Sequence, residues 1–193
     1  MPTIIDYPAV LERLTRQGFA CNYPNSGAFG FPPAAELKIR GWIGPADSTI
    51  RSTMLAMTKS FPPPYETNLC AAAASAWENV LPGPAWVMPM SHWHFEFHDG
   101  SRDWLPALLT DIQVDPKKLE NRADGSAIEF NLVELPHFIW MVEGLIRGLR
   151  ASDFMLAFPD RPVLCTVHHH KQLWWTTTDV DILRRITECE FAA

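Results

Sequence analysis

Six of the seven histidines fall in two short runs, Ser91-His-Trp-His-Phe-Glu-Phe-His98 and Thr166-Val-His-His-His-Lys-Gln172. An imidazole can ligate a metal, donate or accept a hydrogen bond, and change charge near neutral pH. Spacing decides which of these a pair can do together. On an extended strand, side chains alternate, so His92, His94, Glu96 and His98 would share one face and Trp93, Phe95 and Phe97 the other. Same-face neighbours lie roughly 6.5–7 Å apart at Cα. Two imidazoles at that spacing can converge on one ion, with bonds of about 2.0–2.1 Å for zinc. Glu96 would then serve as a third ligand or as the acid/base for a metal-bound water. By the same parity His168 and His170 point together, while His169 shares a face with Cys165 and Val167.

These patterns lead to two functional expectations. The first is a binding or interaction domain whose histidine- and tryptophan-lined sheet face, built from His92, His94, His168, His170 and Trp174, takes a small ligand or a partner protein. The alternative is a metal-dependent hydrolase or oxidoreductase. In that reading His92, His94, His168 and His170 hold a divalent ion such as zinc, and Glu96 is catalytic. Histidine with carboxylate suits zinc, iron, nickel or copper comparably. The non-metal reading leads, because a half-exposed antiparallel strand needs a polar face without any ligand. Whether the chain is an enzyme stays open at this point.

Other chemistries have less support. There is no G-x-S-x-G, and Gly27-Ala-Phe-Gly30 lacks the spacing and the lysine of a phosphate loop. Cys165 and His169 have matching parity, but four strand residues separate their Cα atoms by about 13 Å. Cys165 is expected to be a buried thiol.

Eight tryptophans are many for 193 residues. Trp77 and Trp93 are expected in the core and Trp140 on the polar side of its helix. Trp174 and Trp175 are adjacent, so on a strand they face opposite ways. Exposed tryptophans beside histidines mark binding surfaces, since they give large contact area at low entropy cost.

Composition bounds the setting. Apolar residues make up 47% and charged residues 20%, which excludes disorder, a coiled coil and a collagen-like repeat. No apolar run reaches the roughly 18 residues that cross a bilayer. The start lacks a basic segment followed by an apolar stretch, so the expected compartment is the cytoplasm. The four cysteines are widely spaced with no C-x-x-C, and free thiols are expected. With a net charge of −6 and basic residues only single or paired, no nucleic-acid partner is expected. The oligomeric state is left open.

The elements that must position these residues follow from periodicity and punctuation. A helix is predicted over Tyr7–Gln17, capped by Asp6 and closed by Gly18. Leu37–Ile43 alternates like a strand; helices are predicted over Ser48–Lys59 and Thr67–Leu81. Ala85–His98 reads as extended, followed by a short helix over Trp104–Ile112. Ala127–Val133 alternates, and Leu135–Leu149 has the strongest helical stripe, with Gly144 and Gly148 placed to let it lie close to a sheet. Phe154–Phe158 and Val163–His170 read as a strand pair joined by Pro-Asp-Arg-Pro, with Trp174–Thr177 answering them. A last helix starts at Thr178, which with Asp181 resembles a capping box. Residues 37–112 and 126–189 run through the same order of strand, helix, histidine-bearing hairpin and closing helix. The prediction is one α+β domain over residues 1–193. Two pseudo-repeated strand-helix-strand-strand units would form a single mainly antiparallel sheet, with helices mostly on one face.

Overall fold

Phe154-Met-Leu-Ala-Phe158 is apolar at every position, which suits a strand covered on both sides. The computed structural model, which describes residues 1–23, 28–30, 40–43, 55–56, 61, 63–98, 103–149, 153–177 and 179–191, places it so. The first half comprises β1 (Thr3–Ile5), α1 (Tyr7–Arg16), β2 (Ala20–Tyr23), β3 (Ala28–Gly30), β4 (Arg40–Ile43), β5 (Leu55–Ala56) and α2 (Tyr65–Val80). Next come β6 (Ala85–Pro89), α3 (Trp93–His98), α4 (Trp104–Asp111), β7 (Ala127–Phe130) and α5 (Leu135–Gly148). The chain ends with β8 (Phe154–Phe158), β9 (Val163–His168), β10 (Gln172–Thr177) and α6 (Val180–Phe191).

Eight strands make one sheet in the order β1-β7-β6-β8-β9-β10-β4-β5, and β2-β3 form a separate hairpin. All neighbours in the large sheet are antiparallel except β4 and β5. This is the expected α+β, mainly antiparallel architecture. One face packs against α2, α4, α5 and α6 through Leu156, Phe158, Cys165, Val167, Leu173 and Trp175. The other face of the central strands is covered by α1, where Val10 and Leu14 meet Trp86, Met88, Met155 and Leu164. Helices thus lie mostly, not wholly, on one side. Among the described residues no helix is long and apolar enough to cross a membrane.

Several expectations are corrected. The two pseudo-repeats do not form separate blocks joined edge to edge: β6, from residues 37–112, sits between β7 and β8, from residues 126–189. Strand pairing here follows the shared apolar faces rather than chain halves. The helix predicted over Ser48–Lys59 is crossed by β5 at Leu55–Ala56; the rest of that segment, like residues 37–39, lies outside the described residues. Asp6 stands at the start of α1, but its carboxylate pairs with Arg122 instead of capping. The last helix is capped by Asp179, whose Oδ1 accepts the N–H groups of Asp181 and Ile182 at 2.9 and 3.1 Å; Thr178 lies outside the described residues. Gly144 and Gly148 do allow a close approach, but to α4 and not to the sheet. A β-carbon at Gly144 would meet Leu108, and one at Gly148 would meet the Trp104 indole.

Candidate functional site

Val163–Val167 is committed to the sheet by burial on both faces, with Thr166 alone half-buried, and His168 is its last ladder residue, opposite Gln172. The three residues between them close a hairpin. Lys171 takes a left-handed conformation, φ 66°, and returns its N–H to the His168 carbonyl at 3.0 Å. This is the three-residue hairpin geometry that glycine usually fills, and a lysine there carries strain of about 1 kcal/mol or more. The turn cancels the parity expected beyond His168. His169 is not turned to the opposite face; all three imidazoles gather, with ring centroids 4.2 Å (His168–His169), 4.2 Å (His169–His170) and 4.8 Å (His168–His170) apart.

Their neighbours fix the rings. Trp174 stacks on His168 at 4.4 Å between centroids, the planes 7° from parallel, and its Nε1 donates to Gln172 Oε1 at 2.9 Å. His168 Nδ1 accepts the His170 N–H at 3.1 Å, leaving Nε2 as the protonated nitrogen of the neutral ring. Asp153, one residue before β8, receives the His169 N–H on Oδ1 at 2.8 Å and holds His169 Nδ1 on the same oxygen at 2.8 Å. Its other oxygen is 3.6 Å from His168 Nε2, too far for a hydrogen bond. Its carbonyl accepts the Met90 N–H at the end of β6. Burial pushes the His168 pKa below the ordinary histidine value; the neighbouring His169 and His170 add to this and Asp153 opposes it. The adjacent cation is paired, with Lys171 Nζ 3.7 Å from Glu66 Oε1. Beside the turn, Ile146, Phe154, Val167, His168, His169 and Lys171 line a shallow concavity of about 10 Å³, room for one water-sized body.

The first histidine run folds otherwise. β6 stops at Pro89, which has no N–H to continue a ladder, and Trp93–His98 is helical, not extended. His92 starts this helix by accepting the Phe95 N–H on Nδ1 at 3.0 Å. Trp93 is buried and donates Nε1 to the Ser126 carbonyl at 2.9 Å. Helical spacing then places His94 and His98 together outside, ring centroids 4.4 Å apart. Glu96 is turned inward, 2% exposed, and accepts from Ser91 Oγ at 2.7 Å. The shared face of His92, His94, Glu96 and His98 is therefore overturned, and with it the basis for Glu96 as their acid/base. Among the described residues, the group of three or more side chains able to hold a metal is His168, His169 and His170, without His92 or His94.

His168, His170 and Trp174 do stand together as expected, while His169 and Asp153 were not foreseen. A signal existed for Asp153: continuing the Phe158↔Val163 and Phe154↔Val167 pairing by one step puts residue 153 opposite His168. Cys165 is fully buried on the helix-covered face, as expected of a structural thiol. Trp77, Trp93 and Trp175 are buried and Trp140 is half exposed. No protein-family model, no curated protein and no solved structure matches this chain.

Proposed function

We propose that the chain is a binding domain whose ligand, a small molecule, docks at the β9–β10 turn against Trp174, His168, His169 and His170. The observation that carries this reading is the Trp174–His168 stack. It joins an indole to an imidazole, with two further imidazoles and a water-sized concavity beside them, so a ligand would lie on the surface against these rings and not inside an enclosed cleft. The sheet supplies rigidity, since both stacked residues sit on paired strands. A partner protein offering an aromatic or acidic side chain would use the same groups. The metal-dependent enzyme keeps these histidines but loses its acid/base, because Glu96 is held inward by Ser91.

Mapping a set of small aromatic and carboxylate fragments by two-dimensional NMR tests the proposal. Shifts concentrated on residues 166–174 are expected. Shifts that scatter over the surface, or gather elsewhere, would overturn it.

A further inference from the structure

Three consecutive imidazoles at a hairpin turn would ordinarily swing independently, yet here two of the three rings are set by specific bonds. We propose that the turn binds one divalent transition-metal ion of the borderline class, Zn²⁺, Ni²⁺ or Cu²⁺, through a ring nitrogen each from His168, His169 and His170, with Asp153 as the positioning carboxylate. The proposal rests on the reading of this turn as the binding site and names its ligand.

The hydrogen bonds assign the atoms. A histidine that ligates a metal through one nitrogen characteristically donates the other N–H to a carboxylate or carbonyl, which fixes tautomer and orientation. His169 has this arrangement, with Nδ1 2.8 Å from Asp153 Oδ1; Nε2 then carries the lone pair. His168 accepts the His170 N–H on Nδ1, so its neutral ring carries the proton on Nε2, 3.6 Å from the nearest carboxylate oxygen; ligation through Nε2 requires that proton to move to Nδ1 and the one hydrogen bond from His170 to be given up. One ring nitrogen from each of the three residues lies within 4.8 Å of the others. Ligands at the corners of a tetrahedral zinc site stand about 3.3 Å apart. Closure therefore moves the ring nitrogens by up to about 1.5 Å, which rotation of an exposed His170 and a half-buried His169 can supply. The fourth position is left to water or to a ligand atom. Imidazole nitrogen favours zinc, nickel and copper over magnesium or calcium, which prefer oxygen. The Lys171 ammonium, which would oppose a cation, is drawn towards Glu66.

The test is calorimetric titration of the untagged full chain with Zn²⁺, with Mg²⁺ as control. One zinc per chain is expected, with no binding of magnesium. Asp153→Asn should weaken zinc about 10- to 100-fold, His168→Gln combined with His170→Gln should abolish it, and His92→Gln with His94→Gln should leave it unchanged. Circular dichroism confirms that each variant is folded. If Asp153→Asn binds as tightly as the natural chain, the three histidines act as a flexible tag and the site falls; absence of zinc binding also overturns it. The fragment map without metal separates the two readings. Fragments at residues 166–174 with no zinc binding leave the binding domain standing and remove the metal, whereas neither fragments nor zinc at the turn removes both.

Discussion

Trp174 lies face to face with His168, two strands meeting through an indole and an imidazole 4.4 Å apart and 7° from parallel. Aromatic pairs of this kind contribute about 0.5–1.5 kcal/mol beyond area burial. Trp174→Leu should lower stability in urea unfolding by about 1 kcal/mol. It should also move the His168 ring protons downfield, because the indole ring current that shields them is gone. Unmoved His168 resonances would mean the stack is not populated in solution.

A second prediction concerns the packing of α4 on α5. A β-carbon at Gly148 would lie 2.3 Å from Trp104 Cζ2 and 2.4 Å from two further indole atoms. Alanine is worth about 1 kcal/mol more than glycine within a helix, but overpacking costs about 1–3 kcal/mol. Gly148→Ala should therefore destabilise the chain by up to about 2 kcal/mol. Gly144→Ala should cost less, since the Leu108 methyls it meets are the flexible end of a side chain. Thermal unfolding of the two variants ranks them; a more stable Gly148→Ala protein would show that the indole moves aside freely.

Cys70 is 2% exposed, and burial, with the Glu143 charge adding to it, pushes its pKa up to about 12 from an ordinary value of 9.0. A thiol kept protonated and covered does not react. Iodoacetamide followed by peptide mass spectrometry should label Cys189 before Cys70 and Cys165, which stay untouched until unfolding. The folded value lies above the unfolded one, so the stabilising contribution is complete below pH 9 and is lost as pH rises towards 12. It is worth about 4 kcal/mol as an upper bound. Cys70→Ala should flatten that alkaline loss; an unchanged slope would place its origin elsewhere.

His92 behaves in the opposite sense. Burial first, then the neighbouring His94, lowers its pKa from the usual 6.5, with Asp124 opposing. The unfolded chain therefore takes up the proton before the folded one. The contribution is complete above 6.5 and is lost as pH falls through the lowered value. Protonation also removes the lone pair that accepts the Phe95 N–H. Hydrogen exchange at Phe95, corrected for intrinsic rate, should lose protection as pH falls below 6.5, and His92→Asn should show a shallower loss. Equal pH profiles in the two proteins would separate the start of α3 from His92 ionisation.

Much of the site's second half was legible because β8 and β9 are bounded by prolines and read as a hairpin. That pairing carries His168 to the sheet's end and, continued by one step, Asp153 to its side. The first half was misread because Trp93 and Phe97 suit either period. They alternate with His92, His94, Glu96 and His98 like a strand, yet they are also four residues apart, the spacing of one helix face. The pattern alone does not choose between the two. Pro89 and the His92 bond to Phe95 choose the helix.

The linear order of residue types determined the α+β class, the free thiols of Cys70, Cys165 and Cys189, the strong α5 stripe and the opposed faces of Trp174 and Trp175, because these depend on local period and composition. Tertiary structure alone decided that β6 lies between β7 and β8, that Glu96 is buried against Ser91, and that three imidazoles meet at a turn where Asp153 holds His169. The physical reason is that strand order and turn geometry are set by contacts between residues far apart in the chain. A single left-handed residue, Lys171, redirects side chains that strand parity would have divided between two faces.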